Sequence, residues 1–271
     1  MNDVYKIKTS SPIFSAVRYH HLLWGFVSRA VKGRFAGLMG GFLWIIFSPL
    51  ANILVYFFIF SIIFKIKVVI AETGTSNFLI FFLAGYCPWL ILAESLTYST
   101  GILIQNTSTI TRVIFPVELL PLSAVLSSTL LNIFGFFLFL AYIALAGFGS
   151  ITWAYALPVL LLQIFFTIGI AFFLSALNVF IRDVQEMLPI IIMIWFHVTP
   201  IIYPLSLVPE AARPILLWNP MAMFVLLYRD AFLLHELHWV WLLRVTLMAV
   251  ASYLIGTWFF MRARPAFGDV L

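Results

Sequence analysis

Charge is what this sequence has least of. Only 9% of its 271 residues are Asp, Glu, Lys or Arg, against about 25% in soluble domains. With 64% hydrophobic residues and a mean hydropathy of +1.11, that scarcity excludes an aqueous globular domain and indicates an integral membrane protein. The one cysteine, Cys87, lies in an apolar run, which excludes an internal disulfide framework and a cysteine-based zinc site. No G-x-x-x-x-G-K-[ST] phosphate loop occurs, so the chain does not bind a nucleotide in that way. G-x-S-x-G and H-E-x-x-H are absent too. Met1 to Arg34 scatters Lys6, Lys8, Arg18, Arg29 and Lys32 among apolar residues and lacks the continuous apolar core of a signal peptide. The first span is expected to direct insertion. No internal repeat is evident, which speaks against a transporter built from inverted halves.

The apolar runs are what the chain does have. Each span needs about 20 apolar residues. The fold expected is all-α, with six transmembrane helices at 38–64, 78–104, 119–146, 153–180, 187–202 and 240–261, in one membrane domain over 1–271. Ahead of them, 13–35 mixes apolar residues with Arg18, Arg29, Lys32 and Arg34, the pattern of a helix lying in the interface. Gly33, Gly37 and Gly41 stand four apart at the entrance to the first span. They form either a small-residue ladder for close helix approach or a flexible junction. The net charge of +5 is better read as orientation charge than as a nucleic-acid surface. Lys6, Lys8, Arg18, Arg29, Lys32, Arg34, Arg112, Arg182, Arg262 and Arg264 fall on the side of the termini, against Lys65, Lys67, Arg213, Arg229 and Arg244. That bias puts both termini in the cytoplasm.

Between the fifth and sixth spans the pattern breaks. Pro200, Pro204, Pro209, Pro214 and Pro220 follow one another with apolar residues between them. A proline inside a helix removes a hydrogen bond and clashes with the preceding turn, so no straight span can pass. Ile215-Leu216-Leu217-Trp218 and 221–227 are nevertheless too apolar for an aqueous loop. The compromise is a re-entrant helical hairpin over 205–234, its non-helical backbone sheltered by protein. As a gate it would need an apolar seal, because a dry constriction resists ions without a charged ring. Ile215, Leu216, Met221 and Phe224 could supply that seal, with Asn219-Pro220 making the turn and Arg229-Asp230 anchoring the returning arm. Otherwise the short helices only pack.

His235 and His238 have no evident third ligand and read as an interfacial turn. His197 reads as a hydrogen-bonded packing residue. Glu94, ionisable within a span, is a functional candidate, but a hydroxyl neighbour such as Ser95 or Tyr98 would give it a structural role, and that reading is preferred. The polar segment from Asn106 to Pro121, closed by Phe115-Pro116, has the form of a lever for an external protein or of a plain connecting loop.

Four stretches resemble the ABC-2 type permeases that export polysaccharides. They are Lys32-Gly33-Arg34-Phe35 through Gly41-Phe42-Leu43-Trp44 to Pro49; Asn106 through Arg112-Val113-Ile114-Phe115-Pro116 to Pro121; Asn178-Val179-Phe180-Ile181-Arg182-Asp183 through Thr199-Pro200-Ile201-Ile202-Tyr203-Pro204; and Trp218-Asn219-Pro220-Met221 with Arg229. Phe267-Gly268-Asp269 stands where many relatives have Phe-Ala-Asp, so no role is carried onto it. The resemblance implies a homodimer in the bacterial inner membrane, with two copies of a separate ATPase subunit docked on the cytoplasmic loops. ATP and magnesium would then sit on that partner, with no cofactor on this chain and no nucleic-acid partner. Asn106, Thr109, Arg112, Phe115 and Pro116 become the expected ATPase-coupling residues. The resemblance also places the first and fifth spans at the subunit interface, where the channel runs. Phe42, Trp44 and Tyr56 on the first, and Trp195, Phe196 and Tyr203 on the fifth, are the expected substrate path. The implied substrate is a lipid-linked polysaccharide, O-antigen first, with capsular polysaccharide or teichoic acid as alternatives. A membrane enzyme acting on lipid-linked sugars would need clustered acids and bases. The tight pairs Arg182-Asp183 and Arg229-Asp230 fall on opposite sides.

Overall fold

The computed structural model describes residues 12–34, 40–63 and 70–271. Lys6, Lys8, Phe35, Gly37, Lys65 and Lys67 lie outside the described residues, as do both ends of the span expected at 38–64 and the side chain of Phe42. Among the described residues the chain is helical and has no strand. The elements are α1 (Pro12–Arg18), α2 (His20–Gly33), α3 (Trp44–Phe57), α4 (Ile70–Thr73), α5 (Phe78–Gln105), α6 (Thr107–Arg112), α7 (Leu119–Leu145), α8 (Ala156–Phe180), α9 (Asp183–Val198), α10 (Arg213–Leu216), α11 (Pro220–Arg229), α12 (Trp239–Ala263) and α13 (Phe267–Val270).

Among the described residues four helices, α5, α7, α8 and α12, are long and apolar enough to cross a membrane. They fall on the runs expected at 78–104, 119–146, 153–180 and 240–261. The first and fifth runs carry shorter helices. α3 continues into a π-helical turn, Phe58–Ile63, and α9 has 16 residues. α9 also starts earlier than expected, at the charged corner. Asp183 and Glu186 occupy its first turn, where carboxylates favour the positive end of the helix.

α5 is the central post and is buried along most of its length. It starts on a side-chain cap, Asn77 Oδ1 accepting from the Leu79 N–H at 2.9 Å. α12 instead buries one stripe at three- and four-residue spacing: Val245, Ala249, Tyr253, Gly256 and Phe260. That stripe meets α8 with the two backbones in close contact. A Cβ on Gly256 would lie 1.8 Å from the Gly169 carbonyl oxygen, and one on Gly169 would lie 2.4 Å from Ser252 backbone. Ser252 Oγ donates across the contact to the Phe166 carbonyl at 2.9 Å. Small residues let the backbones touch where no hydrophobic drive between helices exists in lipid. Gly33 and Gly41, the two described members of the anticipated ladder, make no such contact within the protomer. A Cβ on Gly33 or Gly41 would meet nothing within 4 Å, and Gly41 has φ +47°, while Gly37 lies outside the described residues.

The two ends of the bundle differ. One end gathers α1, α2, α6, the corner at 181–183 and α13, through contacts such as Phe26–Phe115 and Phe180–Phe267. The other gathers 70–77, the α7–α8 connection and the broken hairpin. There Glu72 accepts from the Ser206 N–H at 2.9 Å, and Trp153 meets Phe232 edge-on at 6.0 Å.

Candidate functional site

The polar segment after α5 is built on a buried base. Asn106 closes α5 by donating from Nδ2 to the Ile102 carbonyl at 2.8 Å. Ile110, Phe115, Pro116 and Val117 are buried, Phe115 against Phe26 of α2 with ring centroids 5.6 Å apart. Arg112 is exposed, and the apolar pair beside it, Val113 and Ile114, is 53% and 64% exposed. The five expected coupling residues therefore divide by role. Asn106 and Thr109 are half-buried, Arg112 projects, and Phe115 with Pro116 holds the segment down.

Within this segment, just after Val117, stands Glu118, which sequence reasoning did not single out. It is fully buried. Its Oε1 accepts from Ser15 Oγ of α1 at 2.6 Å, and its Oε2 lies 3.5 Å from Arg264 Nη1. Three segments far apart in sequence converge on one carboxylate. A second knot ties the charged corner to the post. Asn178 Nδ2 donates to the Thr100 carbonyl at 3.0 Å, and its Oδ1 accepts from the Gln185 N–H at 3.1 Å.

The C-terminal end of α2 is pinned ionically as well. Arg34 Nη1 donates to Glu94 at 3.1 Å and Nη2 to Ser128 Oγ at 2.7 Å, with the guanidinium 4.9 Å from the Tyr98 ring centroid. Asn132 Nδ2 also donates to Glu94. Glu94 thus has a structural partner, but it is the arginine that caps the end of α2, where a hydroxyl of α5 is the expectation.

Three of the expected path residues, Tyr56, Trp195 and Phe196, form a cluster on α5, while Trp44 is exposed. Tyr56 packs on Phe82, Tyr86 and Phe196, with centroids 5.2, 6.1 and 5.4 Å away. Trp195 and Phe196 meet Trp89 at 5.9 and 5.5 Å. α3 and α9 are thereby neighbours, and each turns an apolar face outward: Trp44, Phe47 and Leu54 on one, Ile190, Ile194 and Val198 on the other. Phe196 itself is buried. Tyr203, half-buried, donates its hydroxyl to the carbonyls of His197 and Val198 at 3.2 and 3.1 Å. His197 Nδ1 lies 2.8 Å from the Met193 carbonyl, a packing bond within the helix.

The hairpin is wired to α9 by one amide. Asn219 Oδ1 caps α11 by accepting from the Met221 N–H at 3.0 Å and also accepts from Trp195 Nε1 at 2.7 Å. Its Nδ2 donates to Thr199 Oγ1 at 2.9 Å. Of the expected seal residues, Leu216, Met221 and Phe224 are buried in the chain, whereas Ile215 is 75% exposed, as is Trp218 at 78%. The correction has a physical reason. α11 packs on α5 and α8, with Phe224 against Phe166 and Val225 closing on Gly85, and its apolar residues are consumed there.

Arg229 anchors the returning arm, though not by pairing with Asp230. It is buried, and its guanidinium donates to the carbonyls of Pro200 and Ile201 at 2.7 and 2.8 Å and of Phe81 at 3.3 Å. Those at 200 and 201 belong to the stretch where α9 has ended and no helical partner remains. Asp230 turns instead to His238 Nδ1 at 2.8 Å. Burial raises the Asp230 carboxyl to about 6, against the opposing pull of the His238 hydrogen bond. His235, at φ 59°, ends the π-helical turn with Nδ1 3.0 Å from Thr152 Oγ1.

No protein-family model matches the chain. Relatives are nonetheless recognisable. The chain is 32% identical over 227 residues to the O-antigen export system permease protein RfbA of Myxococcus xanthus, covering 81% of this chain and 83% of that one. It is 27% identical over 246 residues to the RfbA permease of Klebsiella pneumoniae, covering 90% and 92%. It is 26% identical over 206 residues to the polysialic acid transport protein KpsM of Escherichia coli, covering 75% and 78%.

Proposed function

As the chain belongs to the ABC-2 type polysaccharide export permeases, we propose that it carries lipid-linked polysaccharide, O-antigen in the first instance, across the bacterial inner membrane. In this reading it works as a homodimer with two copies of a separate ATPase subunit, which hold ATP and magnesium. Six spans complete each subunit. Residues 44–63 reach roughly 30 Å at about 1.5 Å per residue, and α9 with the turn after it supplies the fifth. Arg18, Arg29, Lys32, Arg34, Arg112, Arg182, Arg262 and Arg264 gather at one end, which faces the cytoplasm by the positive-inside rule.

The observation that carries the coupling half of this reading is the exposed Arg112-Val113-Ile114 seated on a buried base. An apolar pair beside a cation suits a cleft on a partner protein, with the guanidinium on an acidic group. Displacing the segment acts directly on Glu118, and through it on α1, α7 and Arg264. The outward faces of α3 and α9 meet their twofold copies. Trp44 and Trp195 then offer aromatic surfaces along which sugar rings slide without fixed hydrogen bonds. Ile215 and Trp218 of the hairpin supply the apolar closure at the far end.

Complementation tests the whole reading. In cells that make O-antigen but lack their own exporter, this chain with its ATPase should restore polymer at the cell surface, and Arg112→Glu should not. Polymer retained in the cytoplasm despite normal expression and dimer formation overturns the O-antigen assignment. Restored surface display in a capsule-exporting host instead selects the second reading, which the KpsM similarity favours.

A further inference from the structure

A cavity of about 260 Å³ opens between α2, α5 and α7, at the end of the bundle that carries α6. Arg29, Ala30, Gly33 and Arg34 line it from the α2 side, with Tyr98 and Asn106 opposite. Three- and four-residue spacing sets Arg29, Ala30 and Gly33 on one face of the helix. The room comes from the two small residues between the arginines, since a Cβ on Gly33 would meet nothing within 4 Å.

The electrostatics of the space are one-sided. No carboxylate lines it. Arg34 is shared with Glu94, which stands behind it at 3.1 Å. Arg29 is exposed and has no ion pair among the described residues, and the Tyr98 hydroxyl has no hydrogen-bond partner among them. Two guanidinium forks, one of them held only over the Phe26 ring at 5.8 Å and by no carboxylate among the described residues, match the oxygens of a phosphate better than any neutral group. The depth of the cavity matters too. α2 turns Leu22 and Trp24 outward, 47% and 64% exposed, as a helix lying in the interface does. The cavity therefore sits where lipid headgroups are.

We propose that this cavity binds a lipid-borne phosphate, either a phospholipid headgroup or the diphosphate of a lipid-linked sugar, between Arg29 and Arg34. The site is independent of which polymer is exported, and it is tested on the permease alone. The purified dimer in a maltoside detergent, which carries no phosphate, is titrated with farnesyl diphosphate, dihexanoyl phosphatidylglycerol, inorganic pyrophosphate and farnesol. At least one of the two lipid phosphates should bind, and farnesol should not. Arg29→Gln should weaken that binding about tenfold or more, the loss of a charge-assisted hydrogen bond. Gly33→Leu should weaken it comparably by filling the space while both arginines remain. Preference for farnesyl diphosphate assigns the site to a lipid-linked carrier, and preference for phosphatidylglycerol assigns it to bulk phospholipid. Pyrophosphate binding as tightly as the lipid forms, farnesol binding equally, or unchanged affinity in both variants overturns the proposal.

Discussion

Arg264 Nη1 lies 3.5 Å from Glu118 Oε2, and both side chains are buried. The pair joins the polar segment that follows α5 to the turn beyond α12, and Ser15 adds α1 to the same carboxylate. Taking one partner from a buried ion pair leaves an uncompensated charge, which costs about 3–5 kcal/mol. Arg264→Met and Glu118→Leu should each lower the thermal midpoint sharply in detergent. The double variant should recover much of the loss, because no charge remains unpaired. Additive losses in that cycle would show that the two groups do not interact.

Arg229 is expected to behave differently, because its partners are carbonyls. Arg229→Met leaves the oxygens of Pro200 and Ile201 without the donors they now have, at about 1–3 kcal/mol each. Arg229→Lys keeps the charge but not the fork that reaches both, and should lie between Met and the parent. Equal stability of all three proteins, measured by unfolding in detergent, would remove the guanidinium from its role as a cap.

Gly256→Ala tests the α8–α12 contact. The added methyl cannot be housed by a rotamer change, because what it meets at 1.8 Å is backbone. The helices must part, at the upper end of the about 1–3 kcal/mol usual for overpacking. Gly135 in α7 has nothing within 4 Å of its ideal Cβ. Gly135→Ala should therefore be neutral or gain up to about 1 kcal/mol from helix propensity. A parallel thermal scan of the two variants separates steric contact from propensity.

How much of this was legible without coordinates follows from what hydropathy can report. Long apolar runs have few other uses than crossing a membrane, so α5, α7, α8 and α12 begin within three residues of where the runs were placed. Successive prolines likewise announced the break between α9 and α12. Inward and outward faces were not legible, since lipid and protein interior are both apolar and no polar stripe marks the boundary. Hydropathy alone therefore does not separate Met221 and Phe224, which are buried in the protomer, from Ile215 and Trp218, which project from it. Pairings across the chain, Glu118 with Arg264 or Glu94 with Arg34, leave no local pattern. Arg229 did carry a signal. A lone arginine in an apolar stretch, downstream of prolines that free carbonyls, has an obvious use.

Coupling is expected to reside in Arg112 and Ile114, with Phe115 as their support. Arg112→Glu and Ile114→Asp should reduce transport and ATPase stimulation while leaving stability within about 0.5 kcal/mol of the parent, as exposed substitutions do. Phe115→Ala removes a buried ring and should instead cost about 3–5 kcal/mol, visible as lower yield. Val113→Cys should form a cross-link to the ATPase. A segment from which no position ever captures that subunit would return it to the status of a plain connecting loop.

The last expectation concerns the hairpin. A seal at the far end of a dimer channel has to be apolar and must project from the protomer, since residues consumed by the protomer's own core cannot meet a twofold copy. Leu216, Met221 and Phe224 fail that requirement, and Ile215 and Trp218 meet it. Their helices are held from behind. Asn219 bonds to Trp195 and Thr199, and Arg229 holds the carbonyls after α9, so a shift of α9 carries the tip with it. Ile215→Ser with Trp218→Ala removes projecting surface and little internal packing, and the dimer should assemble and unfold nearly as the parent does. It should also conduct ions at rest, because a constriction widened and wetted no longer excludes water. Met221→Ala provides the contrast, costing about 2–5 kcal/mol as a core truncation without opening the pore. The measurement is single-channel conductance of the purified dimer in planar bilayers, without ATPase or polymer. A double variant that assembles and stays as tight as the parent leaves the hairpin as packing alone.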